Sequence, residues 1–341
     1  MTFLSKIIFS ICFVHSLTSF AQTSKLVRMN PQHYFHHNLP KGNYSGLTSL
    51  GNDTYAVVSD KAPKSGFFVF HIQIDHQTGD ILDITSDGFR ASSDANQDEE
   101  GIAFFPKDST IFISREGDNA ILEYAMDGHL TGKRLKIPAT FKDITHQYGF
   151  EALTYNKQTH LFWTTSESTL KQDGVQADAQ NQVNNRLRLQ SFDEDFMPQA
   201  QFAYLMDKPI SHKSASNYAM GVPALTALDD GKLLVLEREF LVTSGKLGSF
   251  VSNKIYCVDP LSADSIPSNA PLQAASPYLQ KTLIAEWKSS LRLFRQDLAN
   301  YEGMCLGPKL SDGSQVLILC ADSQNQYGGV LRDWFRTIVI R

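Results

Sequence analysis

The segment EGIAFFPKDSTIFISRE, residues 100–116, decides the fold because the chain repeats its pattern four more times. Each copy has a small or acidic residue, a turn-like Gly or Ala, a few apolar residues, a short gap, and an apolar run that ends on an acid. The other copies are SGLTSLGNDTYAVVSD (45–60), EALTYNKQTHLFWTTSE (151–167), PALTALDDGKLLVLE (223–237) and EGMCLGPKLSDGSQVLILCAD (302–322). Repetition of this kind is typical of stacked or radially arranged units, none of which buries its apolar face alone.

Each copy predicts two antiparallel strands joined by a turn, and a further apolar segment after each copy predicts a third strand. Several short strands in a unit of roughly 40 to 50 residues are typical of a propeller blade, whose complete sheet has four strands. The copies at 223 and 302 are widely spaced, and the segment TLIAEWK from Thr282 between them is compatible with an additional degenerate blade. The sequence therefore predicts an all-β β-propeller of six blades, with five or seven as alternatives.

The two ends of the chain carry alternating apolar segments, LVRMN from Leu26 and RTIVIR from Arg336. Because a ring of sheets leaves exposed edges unless its ends meet, we expect these segments to pair and close the propeller.

The first 21 residues resemble a secretory signal peptide, with Lys6, an apolar stretch and Ser19-Phe20-Ala21 before the expected cleavage point. The apolar stretch is too short and too interrupted for a spanning helix. We therefore expect an exported protein, periplasmic or extracellular, in which residues 22–341 form one monomeric propeller domain.

Charge and cysteine content narrow the classes of partner. The chain has 31 basic and 36 acidic residues and a formal charge of −5, which favours neither nucleic acid nor a membrane surface as the partner. Three cysteines follow the leader, an odd number that does not describe a disulfide framework. Cys305 and Cys320 lie on one predicted hairpin and could pair, although buried, unpaired thiols are favoured. The expected partner is a small molecule or an ion.

Three acids stand at the same place in three copies, Glu100, Glu151 and Glu302, immediately before the apolar residues of the first strand. First strands line the channel of a propeller, so these carboxylates should converge on its axis. Like charges at close range repel unless a cation lies between them, and oxygen ligands without His or Cys favour calcium. The alternative is that each glutamate caps its own strand.

A second ring of acids is predicted where the next strand of each copy ends. Its members are Asp60, Glu116, Glu167, Glu237 and Asp322. Three basic residues accompany this ring, Lys61, Arg115 and Arg238, and guanidinium groups bind phosphate or carboxylate well. We predict that Asp60 and Asp322 add to the metal site and that the three basic residues bind an anionic substrate. The alternative for each arginine is a local ion pair with an adjacent acid.

The chain has no GxSxG, Walker or HExxH motif, but the order of several longer segments resembles a known family. These segments are DEEGIAF with ISRE, IPATF followed by GFEALTYN and TTSES, VPALTALDDGKLLVLERE, and NYEGMCLGPKLSDGSQVLILCADSQNQ. Together they resemble the phytase-like domain proteins, described as having "esterase-like activity of phytase". The resemblance covers most of the chain after the leader and implies an exported bacterial propeller.

The family's name implies calcium-assisted hydrolysis of phosphoesters. On that hypothesis, calcium held by the channel glutamates neutralises phosphate oxygens and orients a water, and a rim acid, Glu237 or Glu116, accepts the proton. Two alternatives stay open. One is a lactonase of the gluconolactonase type, and the other is a non-catalytic propeller whose calcium is structural.

Overall fold

The structure is a computed structural model that describes residues 24–144 and 148–341, so the predicted signal peptide lies outside the described residues. Alternating apolar residues between turn clusters form short strands throughout. In chain order the strands are β1 (Leu26–His33), β2 (Tyr44–Gly51), β3 (Thr54–Ser59), β4 (Gly66–Ile74), β5 (Ile81–Ala91), β6 (Glu99–Phe105), β7 (Thr110–Arg115), β8 (Ala120–Tyr124), β9 (Leu130–Arg134), β10 (Phe150–Asn156), β11 (Leu161–Ser166), β12 (Arg186–Phe192), β13 (Pro198–Leu205), β14 (Asn217–Ala227), β15 (Leu233–Val242), β16 (Phe250–Val258), β17 (Lys281–Arg292), β18 (Arg295–Gln296), β19 (Asn300–Lys309), β20 (Gln315–Asp322) and β21 (Phe335–Ile340). Short 3-10 helices lie at Ala139–Phe141, Lys171–Asp173, Pro260–Ser262 and Asn325–Gly329.

The strands form five antiparallel sheets, and the protein is an all-β propeller with five blades. Blades 1 to 3 are β2–β5, β6–β9 and β10–β13, blade 4 is β14–β18, and blade 5 combines β19–β21 with β1. The predicted number of six is wrong. The segment from Thr282 is part of β17, which pairs with β16 along the outer edge of blade 4 instead of starting another sheet. The long spacing of the last two copies is taken up by this long strand and by the loop before it.

Closure of the ring follows the prediction. Strand β1 pairs with β21, from Leu26 opposite Ile340 to His33 opposite Phe335. Inside this pair the Asn30 side chain donates a hydrogen bond to Thr337 Oγ1 at 2.9 Å. The N-terminal strand therefore supplies the outer strand of the last blade, which covers an edge that would otherwise be free.

The core lies between the blades, with one large apolar cluster at each of the five blade interfaces. Blades 5 and 1, for example, bury Tyr44, Phe70 and Phe335 together, and blades 2 and 3 bury Phe112 and Phe162. Because each sheet packs both faces against its neighbours, the second strands β7 and β15 are buried along their whole length.

The three cysteines of the described chain are free and buried. Cys320 lies opposite Gly303 and Cys305 opposite Ile318, so the two thiols of the last hairpin are offset in register. No helix in the part of the chain that the structure describes is long and apolar enough to cross a membrane.

Candidate functional site

The first strand of every blade has a register irregularity at the same place, beside the channel. In blades 1, 3 and 5 it falls at Ser45, Glu151 and Glu302, and in blades 2 and 4 it takes in two residues, Glu100-Gly101 and Val222-Pro223. A bulge leaves a residue out of the ladder and re-aims its side chain. The repeated acid therefore stands where the strand leaves regular pairing, and this explains why it recurs in the sequence.

The glycine that follows the acid lets neighbouring first strands approach closely. A Cβ at Gly101 would lie 2.3 Å from the carbonyl oxygen of Glu151, and a Cβ at Gly46 would lie 2.3 Å from that of Glu100. The backbones of adjacent blades thus touch at the level of the acids. This contact brings carboxylates from different blades into one electrostatic cluster.

The second ring is present, but its member from blade 4 is Arg238 and not Glu237. Gly221 of β14 lies opposite Arg238, whereas Tyr44 and Phe150 of the other first strands lie opposite the residue just before the ring acid. Neighbouring side chains of a strand point to opposite faces, so Glu237 turns away from the ring. The ring consists of Asp60, Glu116, Glu167, Asp322 and the guanidinium of Arg238.

Arg238 is the cation of the channel. Its side chain, 4% exposed, donates hydrogen bonds to the carboxylates of Glu302 and Glu167 and, at 3.1 Å, to Asn300 Oδ1. Burial alone would lower the pKa of Arg238, but Glu167 and Glu302 raise it above its usual value. Arg238 therefore lies between blades 3 and 5 and neutralises Glu167 and Glu302, of which Glu302 was predicted to bind calcium.

The remaining carboxyls resist ionisation. Burial, reinforced by Asp60 and Glu302, raises the pKa of Glu100 well above its ordinary value. Burial raises the pKa of Glu116 to about 8, although the Gly149 amide donates to that carboxyl. For Glu302 burial outweighs the opposing effect of Arg238, and its pKa lies at about 7. A bound cation would favour the ionised forms.

A group of carboxylates that could hold such a cation lies beside blades 1 and 2. Ligand oxygens of Asp60, Asp98 and Glu100 all lie within 4.8 Å of one another. Asp60 Oδ1 is buried and has no hydrogen-bond partner, and Asp98 is 43% exposed, so the group is reachable from solvent. Hard oxygen donors of this kind suit calcium. The donor set fits the ion that the sequence predicts.

Lys61 already holds two members of this group. Its ammonium nitrogen lies 2.7 Å from Asp60 Oδ2 and 2.8 Å from Asp98 Oδ1, while the side chain is 46% exposed. A divalent ion at the same oxygens would compete with this ammonium. Lys61 therefore contacts the candidate metal ligands themselves, and its predicted role in binding an anionic substrate stays a prediction.

The predicted calcium ligands thus separate into two parts. Glu100 and Asp60 belong to the group with Asp98, whereas Glu302 is bound to Arg238 and Asn300. Glu151 lies near Glu167 and keeps one buried oxygen, Oε2, without a hydrogen-bond partner. Asp322 accepts a hydrogen bond from the Gln324 amide at 2.7 Å, and Glu302 and Asp60 raise its pKa further above the effect of burial.

Two other predicted residues have partners of their own. The Arg115 side chain binds Asp118, which is 40% exposed. Glu237 accepts hydrogen bonds from the Tyr204 hydroxyl at 2.6 Å and Lys281 at 2.7 Å, in an ion-pair network between blades 3 and 4. The orientation of Glu237 is a consequence of side-chain alternation along the strand.

Asp98 is the residue that the repeat pattern missed. It precedes the repeated segment, in the turn before β6, and its backbone has a positive φ of 56°. Its carbonyl accepts the Glu116 amide at 2.8 Å, which fixes the turn against the second strand. The sequence signal for Asp98 was the run of three acids Asp98-Glu99-Glu100. The two acids that precede Glu100 are its neighbours in the chain and were therefore candidates for the same site.

The opposite end of the channel has a different chemistry. There the first strands surround a cavity of about 560 Å³ whose lining mixes apolar side chains, such as Leu47, Ile102 and Met304, with polar ones. The buried acids of the channel lie at the end where the first strands begin, whereas Lys309 and Asp229 of the opposite end are exposed.

Comparison with known proteins gives one family match. A family model described as "Phytase-like: Esterase-like activity of phytase" matches residues 40–324. No curated protein matches the chain significantly. Among solved structures, a streptogramin B lyase is 12% identical with a TM-score of 0.37, over 91% of this chain and 98% of its own. An endo-arabinase from Bacteroides thetaiotaomicron is 13% identical with a TM-score of 0.45, over 88% and 94% of the two chains. Likenesses of this size say nothing of function.

Proposed function

Because the chain belongs to the phytase-like family described by the esterase-like activity of phytase, we propose that the acidic end of its channel hydrolyses esters with the help of a bound calcium ion. Phosphoesters are the first substrate class to test. The observation that carries the proposal is the group of Asp60, Asp98 and Glu100, whose oxygens converge within 4.8 Å beside a buried, unpartnered oxygen. Export from the cell, predicted from residues 1–21, is part of the same proposal.

Asp60, Asp98 and Glu100 would hold the ion, with Glu151, Glu302 and Asp322 as a surrounding negative field. When bound, calcium neutralises charge on the ester oxygens and polarises a water. Every other contribution comes from the chain's own side chains.

Lys61 is the group that would meet an anionic substrate. If a bound cation neutralised Asp60 and Asp98, the Lys61 ammonium would leave these carboxylates and bind the substrate's oxygens. Its 46% exposure leaves room for that movement. To bind substrate as predicted, Arg115 would have to release Asp118. Arg238 would have to release Glu167 and Glu302.

Glu116 is the better candidate for the proton acceptor. Its pKa of about 8 lies near neutrality, which suits a group that exchanges protons during turnover. The Gly149 amide orients its carboxyl. Glu237, in contrast, already accepts from Tyr204, Lys281 and the Asp207 amide, so we assign it to blade packing.

One observation favours a second candidate, hydrolysis of an uncharged ester or a lactone. Both arginines of the acidic end are bound to carboxylates, so Lys61 is the predicted anion-binding side chain with the greatest freedom to reach a substrate. A neutral substrate would not need those arginines.

The test compares the purified wild-type protein with Asp98→Asn on phytate, an aryl phosphate, a carboxylic ester and a lactone, each with calcium and with chelator. We expect chelation and Asp98→Asn each to lower turnover at least about tenfold. Asp229→Asn, at an exposed acid of the opposite end, is the control and should leave turnover unchanged. Full turnover in chelator would refute the metal role, and calcium binding without turnover of any substrate would favour the non-catalytic propeller.

A further inference from the structure

The tip of blade 4 exposes large apolar side chains to solvent. Leu293 and Phe294, at the turn between β17 and β18, are 77% and 100% exposed. Leu247, in the loop between β15 and β16, is 53% exposed. Three large apolar side chains at one projecting end are unusual for a surface that faces only water.

Backbone hydrogen bonds join these two loops into one structure. The Gly248 amide donates to the Leu291 carbonyl at 3.2 Å, and the Leu291 amide donates to the Ser249 carbonyl at 3.0 Å. The loop at Leu247 and the turn at Leu293-Phe294 therefore project together. We refer to Leu247, Leu293 and Phe294 as the apolar tip.

The surroundings of the apolar tip are basic in a protein whose net charge is −5. Residues 243–250 and 287–296 contain no acid, and they include Lys246, Lys288 and Arg292. Lys288 and Arg292 are exposed. At the surface of an anionic membrane, apolar side chains of a loop tip can contact the acyl chains. Cations beside the tip can contact the phosphate groups that lie above the acyl chains.

The tip lies at the acidic end of the channel. Strand β15 runs past Arg238 for four more residues to Val242, and Leu241 pairs with Phe250, which in turn pairs with Ser290. At about 3.3 Å per residue this extension adds roughly 13 Å to blade 4 beyond the second ring. A surface that received the tip would therefore face the channel mouth.

We propose that the apolar tip docks the protein on the surface of an anionic phospholipid bilayer, with Leu293 and Phe294 entering the interface and Lys288 and Arg292 contacting lipid phosphates. This inference stands on the tip alone and does not depend on the proposed hydrolase function.

The experiment measures partition of the protein into vesicles of phosphatidylglycerol and phosphatidylcholine, and into vesicles of phosphatidylcholine alone. We expect partition into the anionic vesicles at low salt and weaker partition at high salt. Phe294→Ser should weaken it at least about tenfold, since one buried aromatic side chain is lost. Arg292→Gln should weaken it about fivefold on anionic vesicles and leave the neutral ones unaffected.

Two variants make the outcome specific. Leu261→Ser removes a side chain that is 57% exposed in the segment after β16, at the other end of the strands, and should not change partition. Phe294→Trp should show a blue shift of tryptophan emission when anionic vesicles are added. Absence of wild-type partition, or partition that Phe294→Ser leaves unchanged, would overturn the proposal. So would concentration-dependent dimerisation that Phe294→Ser abolishes, without vesicle binding, because it would assign the tip to contact between two copies.

Discussion

At the scale of single residues, the most consequential difference between expectation and structure is one position in one strand. The repeated phrase ends on Glu237 in blade 4, but the side chain that enters the ring is Arg238. Gly46, Ala152 and Gly303 pair with residues two positions before the ring acids Asp60, Glu167 and Asp322, whereas Ala224 pairs with Leu236, two positions before Arg238. A shift of one residue in strand register moves every side chain of the strand to the other face of the sheet. The repeated sequence pattern does not reveal such a shift.

The position of Arg238 predicts a large loss of stability on its removal. Arg238→Gln leaves Glu167 and Glu302 buried without their cation, which should lower the free energy of unfolding by about 3–5 kcal/mol. Arg341→Gln is the matched control, because Arg341 and its partner Asp312 are 51% and 53% exposed and such pairs contribute about 1 kcal/mol or less. Denaturant unfolding of the two variants measures the difference. Equal losses would contradict the central role of Arg238.

At the scale of strands and loops, the sequence predicted most of what local patterning controls. The first and second strands of every copy form as hairpins, and β1 closes the ring on β21. The prediction of six blades was wrong because the sequence of a β-compatible segment such as Thr282–Lys288 does not show whether the segment extends a sheet or begins one. The pairing of β17 with β16 depends on which sheet edge is free in the folded protein, and the local sequence does not determine this.

The polar stretch 171–185 shows the same limit. Its composition predicts a long mobile loop and a candidate lid over the channel mouth. The structure instead buries Asp173, which accepts two hydrogen bonds of 2.7 Å from Arg188 of β12. A polar sequence can thus be fixed by one buried ion pair whose partner lies outside it. Asp98 was not among the predicted site residues for a related reason, because it lies outside the repeated segment.

At the scale of the whole molecule, the ring collects carboxylates from four blades around one guanidinium. Separate blades supply Asp60, Glu116, Glu167 and Asp322, and none of the sheets would hold such a concentration of charge alone. The repeat predicted this convergence. It did not predict that Arg238 would neutralise one side of the ring and leave Asp60, Asp98 and Glu100 as the side open to a cation.

This concentration of buried acids predicts a stability that depends on pH and on calcium together. Unfolded glutamates ionise near pH 4.3, whereas Glu302 and Glu116 in the fold have pKa values of about 7 and about 8. Without calcium the folded state therefore binds more protons between these values, and the stability present at pH 4.5 is lost as the pH rises through 7 to 8.

Thermal unfolding in chelator should accordingly show a lower melting temperature at pH 8 than at pH 5. Calcium should raise the melting temperature more at pH 8, because it stabilises the ionised carboxylates of the folded state. Glu116→Gln should reduce the pH dependence. A melting temperature that is constant over this range, or a greater calcium effect at pH 5, would contradict the account.

The central claim is that Asp60, Asp98 and Glu100 hold a cation at the acidic end of the channel, and crystallography with calcium tests it most directly. The measurement is an anomalous difference map from crystals of the protein grown with calcium. The account predicts a peak about 2.3–2.6 Å from an oxygen of each of the three residues, with Lys61 displaced from Asp60 and Asp98. A map without a peak at these oxygens at saturating calcium, or with the ion bound by Glu151 and Glu302 on the axis, would contradict it.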